Sequence, residues 1–224
     1  MDQDTAKARL LDAALTHVPF DGWSETTLRA AISDSGVETA LARNCYPRGG
    51  VDLALAYHRR GDAAMRQALG NEDLSALRFR ERVARAVRLR IEVADIELVR
   101  RGSTLFSLPQ NALLGAGAVW GTADAIWTAL GDTTRDLNWY SKRATLSAVY
   151  GATVLFWLGD DSPDHQATWD FLDRRVADVM EIEKLKSTVK ENAVAKAVLA
   201  GPVKFLETLR ESKGRWQDMG RRFP

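Results

Sequence analysis

The chain has 224 residues, enough to bury a substantial core as one domain or as a small domain fused to a larger one. Its 46% hydrophobic and 27% charged residues exclude a disordered or fibrous chain, and 31 basic against 30 acidic side chains leave no overall field that favours nucleic acid or anionic lipid. One cysteine, Cys45, excludes an intrachain disulfide and reads as a small apolar packing residue, while His17, His58 and His165 lack metal-ligand spacing, so no metal or other cofactor is expected.

The N-terminal stretch "MDQDTAKARLLDAALTHVPF" has neither an apolar signal core nor arginine-rich transit character. No uninterrupted apolar run approaches the roughly 20 residues of a membrane-spanning helix. The chain is therefore expected in the cytoplasm, with any membrane contact peripheral. Helical periodicity dominates, without alternating β-branched runs. Leu10, Leu11, Ala14 and Leu15 define a first helix over 5–17, stopped by Pro19 and Gly22. Ser24 can cap a second at 25–33 by accepting from an otherwise orphaned backbone N–H. Gly36 suits the left-handed turn before a third helix at 37–46, and a fourth begins near Val51.

From 76 to 101 the periodicity predicts one long helix, with Phe79, Val83, Val87, Ile91, Ala94 and Leu98 forming an apolar stripe. Its opposite side carries Arg78, Arg82, Arg85 and Arg88, either an ion-paired, solvated face or a surface for headgroups or phosphates. Pro109 can open the next helix, where Leu113, Trp120 and Trp127 recur every seven residues on one face. Gly115-Ala116-Gly117 resembles a dinucleotide fingerprint only superficially, because no strand precedes it and Trp120 stands in place of the third glycine. Those small residues are read instead as permitting close helix approach. A further helix spans 137–158, and Ser162, Pro163 and Asp164 signal another start. Helix-start chemistry accounts for Asp160, Asp161 and Asp164 better than a metal or acid–base cluster does. No paired histidine, P-loop or nucleophile elbow is present, so an enzyme is not expected.

The polar stretch "EIEKLKSTVKE" at 181–191 reads as a mobile connection to a terminal amphipathic segment. There Val198, Leu199, Val203, Phe205, Leu206 and Leu209 make a wide apolar side, with Lys196, Lys204, Glu207 and Arg210 around it. Such a segment either docks on protein or lies in a bilayer interface.

The first four helices have the order and lengths of a TetR-type DNA-binding domain followed by a larger all-helical ligand domain. A ligand-responsive repressor is the alternative function. Yet residues 21–50 set Arg29, Arg43 and Arg48 against Asp21, Glu25, Asp34 and Glu38, where a DNA-reading module is normally basic. The expectation is a retained shape and a lost DNA task.

"TLFSLPQNALLGA", "DLNWYSKRATLSAVY" and "DDSPDHQATWDFLDRRV" closely resemble the Coq-nine-type ubiquinone-biosynthesis proteins, over about Leu10 to Leu185. The resemblance implies an all-α, TetR-like, dimeric lipid-binding accessory protein, here a bacterial member peripheral on the inner face of the inner membrane. It implies a helix–turn–helix domain at 1–50, a helical lipid-binding and dimerisation domain at 51–185 and a membrane-associating segment at 186–224. Its ligand would be an isoprenoid lipid or ubiquinone precursor, presented to demethoxyubiquinone hydroxylase. The family's partner-binding patch falls on Asp136, Asn138, Trp139, Tyr140 and Arg143. The aromatic and apolar spacing offers Phe106, Leu113, Trp120, Trp127, Tyr150, Val154 and Trp157 as lipid-binding candidates, which ordinary core packing also explains. The terminal residues Val198 to Leu209 would be the membrane contact.

Overall fold

The computed structural model describes residues 1–133 and 137–191, with side chains for 1–133 and 138–179. Among the described residues every regular element is a helix. The chain divides into two units, Met1–Val176 and Ala177–Pro224, and the candidate site lies wholly in the first.

Helix α1 (Gln3–Leu15) starts where the Asp2 carboxylate accepts from the Thr5 N–H at 2.9 Å. Pro19 does more than stop it: the ring sits in the first turn of a short helix α2 (Val18–Asp21), where a missing N–H has no cost. Helix α3 (Glu25–Ser35) is capped by Ser24, whose hydroxyl accepts from Thr27 at 3.2 Å. Gly36, at φ 64°, turns the chain into α4 (Thr39–Cys45). Leu10, Val18, Leu28, Ala31, Ala42 and Leu53 are fully buried where α1, α3 and α4 meet α5 (Gly50–Gly70). Cys45 is buried in the same cluster as a packing residue. The Tyr46 hydroxyl donates to the Lys7 carbonyl at 2.8 Å, and burial pushes its pKa up to about 12. A Cβ on Gly50 would collide with the Trp23 carbonyl, so glycine there sets how closely α5 passes the α2–α3 turn.

The long helix expected at 76–101 is two, α6 (Phe79–Glu92) and α7 (Ile96–Ser107). Asp95 divides them: its carboxylate accepts from the N–H groups of Glu97 at 2.8 Å and Leu98 at 3.1 Å. A cap of this kind overrides the apolar spacing, which runs on across the short break because Val83, Val87, Ile91 and Leu98 are all buried. Three of the four arginines on the opposite side are ion-paired, while Arg82 donates to the Leu77 carbonyl at 2.9 Å. Arg78 meets Glu81, Arg85 bridges Glu72 and Glu92, and Arg88 holds Glu92 while lying over the Trp169 ring.

Helix α8 (Ala112–Ala129) begins after Asn111, not at Pro109, which sits in the preceding turn. The Asn111 amide donates to the Leu105 carbonyl at 3.1 Å and pins that turn. Helix α9 (Leu137–Trp157) packs on α8. The start signal at Ser162-Pro163 produces a single 3-10 turn, Pro163–His165, with Asp164 and His165 at φ 52° and 55°, before α10 (Gln166–Glu191). Asp160 anchors this junction by accepting from the Ser162 and Thr168 N–H groups, both at 2.9 Å, and from the Thr168 hydroxyl at 2.5 Å. The Thr168 and Ser162 hydrogen bonds hold its carboxyl well below the usual carboxylate range. Helix α10 continues through "EIEKLKSTVKE", expected to be a mobile connection, because its glutamates, lysines and leucine are good helix formers.

Candidate functional site

A cavity of about 330 Å³ opens between α5, α7, α8 and α9. Three of the seven lipid-binding candidates line it together: Phe106 from α7, and Tyr150 and Val154 one turn apart on α9. Leu98, Val119 and the Trp23 ring add further apolar wall. The Trp23 indole is fixed by donating to the Leu98 carbonyl at 3.0 Å. Gly115 explains how α7 and α8 come close, since a Cβ there would stand 2.7 Å from Cβ of Phe106. The rim is exposed at Ser107, Ala112, Ala116 and Leu155.

The other four candidates lie elsewhere. Leu113 is 88% exposed, beside the rim residue Ala112 in sequence. Trp120 is half-buried against Trp139, with ring centroids 5.9 Å apart. Trp127 stacks on Phe79 at 5.6 Å and donates to the Lys142 carbonyl at 3.1 Å. Trp157 is buried edge-on to His165 at 6.0 Å.

The buried end of the cavity holds a polar group that the aromatic spacing did not single out. Arg90, only 3% exposed, donates from Nε to Oδ1 of Asp62 at 2.7 Å and from Nη2 to the His58 carbonyl at 3.0 Å. The Thr122 hydroxyl donates to the same Asp62 oxygen at 2.7 Å. Nε2 of His58 faces the Ala118 carbonyl at 3.1 Å and the Thr122 oxygen at 2.8 Å. A carbonyl only accepts, so this ring nitrogen carries the proton and Nδ1 the lone pair. Burial first, and the Arg90 charge second, push the His58 pKa down to about 4, leaving the ring neutral at physiological pH. Burial raises Tyr150 and Tyr57 above the ordinary phenol value. A signal for this group was present: Leu55, His58, Asp62, Met65 and Leu69 share one spacing of three and four along α5, so polar residues occupy a core-facing stripe. Gly61 belongs to the same design, because a Cβ there would lie 2.7 Å from the Arg90 guanidinium.

At the expected partner patch, Tyr140 is 62% exposed and Asn138 is exposed. Trp139 is half-buried, its ring edge-on to Tyr140 and covered by the Arg143 guanidinium 4.0 Å above it. Arg143 is only 2% exposed, paired with Asp124 at 2.6 Å and Asp132 at 3.2 Å, so it braces the patch from within. Asp136, and the membrane candidates Val198, Leu199, Val203, Phe205, Leu206 and Leu209, lie outside the described residues.

On the helix–turn–helix face, the arginine of α4 is engaged: Arg43 forms a two-pronged pair with Glu25. Arg48 is held by Asp52, Nε to Oδ1 at 2.9 Å. Among the described residues, no group of three or more His, Cys, Asp or Glu side chains is placed to hold a metal ion, and no helix is long and apolar enough to cross a membrane.

A helix–turn–helix unit joined to a hollow helical body has a TetR-like fold, and the fold comparison agrees. A crystal structure of a TetR transcriptional regulator from Nitrosomonas europaea superposes with a TM-score of 0.62 at 18% identity, covering 77% of this chain and 97% of that one. By sequence the chain is similar to the COQ9 family, whose model matches residues 113–183. It is 29% identical over 221 residues to the mitochondrial ubiquinone biosynthesis protein COQ9 of Rattus norvegicus, covering 95% of this chain and 70% of the rat protein. The Homo sapiens COQ9 protein is likewise 29% identical, with 95% of this chain and 69% of that protein aligned.

Proposed function

We propose that this chain serves ubiquinone biosynthesis as a lipid-binding accessory protein: it shelters an isoprenoid quinone precursor and presents it to demethoxyubiquinone hydroxylase at the membrane. The observation that carries the reading is the cavity between α5, α7, α8 and α9, with apolar walls and an exposed rim. Its volume of about 330 Å³ falls within the range of small-molecule sites. Each methylene buried there contributes about 0.8 kcal/mol before ordering costs, so an isoprenoid chain gains where a polar ligand does not. The ubiquinone connection rests on the kinship to COQ9 proteins.

In this reading the protein binds and presents; the reaction belongs to its partner. Tyr140 and Trp139 form the contact with the hydroxylase, being aromatic residues of the type that dominates interface energetics. The terminal segment containing Val198 to Leu209 holds the protein on a bacterial inner membrane, and the working form is a homodimer. Duplex DNA is not proposed as a partner, because residues 21–50 set Arg29, Arg43 and Arg48 against Asp21, Glu25, Asp34 and Glu38, without the basic surplus that phosphate contacts use. The test is native mass spectrometry of the protein purified from its own host, followed by lipid extraction. An isoprenoid lipid retained in about equimolar amount is expected; protein without any isoprenoid overturns the proposal.

A further inference from the structure

We infer that the cavity takes its ligand ring first, with Arg90 and His58 reading the oxygens of a neutral quinone or phenol while the apolar chain leaves past Leu155. This rests on the lipid-binding reading above and adds an orientation and a selected head. The two ends of the cavity differ in kind. Among the lining residues Arg90 and Tyr150 are buried and His58 and Tyr57 half-buried, whereas Ser107, Ala112, Ala116 and Leu155 are exposed and form the rim, with Leu113 beside it. A purely hydrocarbon ligand has no use for the buried arginine. A guanidinium has five N–H donors, of which the bonds from Nε to Asp62 and from Nη2 to the His58 carbonyl use two, and Arg90 is among the residues that line the cavity. The Tyr150 ring lies 5.9 Å from that guanidinium and bounds the same space.

Charge then selects the head. Asp62 neutralises Arg90, and His58 is uncharged, so this end holds no surplus positive charge to offset a buried carboxylate or phosphate. A ring carbonyl can accept from Arg90, and a ring hydroxyl can donate to Nδ1 of His58, without bringing a net charge inside. One hydrogen bond to a charged donor in a desolvated site is worth about 1.5–3 kcal/mol, tenfold or more in affinity.

The experiment titrates the full chain, by tryptophan fluorescence and calorimetry, with three probes: a short-chain prenylated benzoquinone, farnesene and farnesyl phosphate. Wild type is expected to bind the quinone on the order of tenfold more tightly than farnesene, with farnesyl phosphate no tighter than farnesene. Arg90→Lys keeps the charge but removes the fork, and should bring the quinone-to-farnesene ratio close to one while farnesene affinity stays constant. The double variant Asp62→Asn with Arg90→Gln, which preserves a neutral hydrogen-bonded pair, should do the same if Arg90→Lys fails to fold. Equal wild-type affinity for quinone and farnesene, an unchanged ratio in the variants, or tightest binding of the phosphate overturns the ring-first orientation and leaves the lipid pocket standing. Binding of neither quinone nor farnesene overturns the pocket, and this orientation with it.

Discussion

The α1–α4 region and the α5–α9 region handle interior space and charge in opposite ways. In the first, Leu10, Val18, Leu28 and Ala42 are fully buried in an apolar core, and Arg43 and Arg48 sit on the surface, each beside a carboxylate. In the second, four helices enclose a hollow, and the pair Arg90–Asp62 is taken inside. An exposed pair contributes little and is easily lost, whereas a buried pair is costly to make and to break. A fold that needed only stability would gain by filling the hollow and replacing the pair with apolar side chains. The second region keeps both, as the proposed binding site requires.

The contrast is most sharply tested by breaking the buried pair. Asp62→Ala leaves Arg90 unpaired at 3% exposure and should destabilise the protein by about 3–5 kcal/mol in urea unfolding. A loss below about 1 kcal/mol would show that water already reaches the guanidinium. The apolar core of the first region and the cavity wall of the second should differ in what a truncation costs. Leu28→Ala, in the filled core, should cost about 2–5 kcal/mol, and Val154→Ala, on the cavity wall, under about 1 kcal/mol. Equal losses would mean that the second region is as well packed as the first.

A smaller effect concerns pH. The folded His58 pKa of about 4 lies below the ordinary 6.5, so as pH falls the unfolded chain takes up this proton first. The contribution of His58 to stability is therefore complete above pH 6.5 and is lost as pH drops toward 4. His58→Gln should flatten the wild-type slope across that window, and an identical slope in both proteins would place the imidazole in contact with solvent. The smallest effect is expected at the surface: Arg43→Ala should change stability by less than about 1 kcal/mol, because the pair with Glu25 is about half exposed.

Much of the helical frame was legible. Ser24 and Gly36 marked the helix–turn–helix boundaries because capping and left-handed turns are local chemistry, settled within a few residues. The break between α6 and α7 was local as well, but the unbroken apolar stripe concealed the Asp95 cap. The site was less accessible. Phe106, Tyr150 and Val154 converge on the cavity, whereas Trp120 and Trp127, on the same heptad spacing as Leu113, pack against Trp139 and Phe79. Periodicity says which residues share a helix face, not which neighbouring helix that face meets. Arg143 shows the same limit: beside two aromatics it reads as an interface residue, yet Asp124 and Asp132, distant in sequence, draw it into the interior. Arg90 escaped notice because it lies one position from Ile91, at the edge of the apolar stripe among arginines that are surface pairs.

The most direct test of an isoprenoid cavity is a crystal structure of the protein purified from its own host, with its natural lipid retained. The account predicts continuous elongated density among Phe106, Val154 and Tyr150, running from Arg90 to the rim at Leu155. An interior closed by repacked side chains, or holding only ordered water while lipid lies elsewhere on the protein, would contradict it.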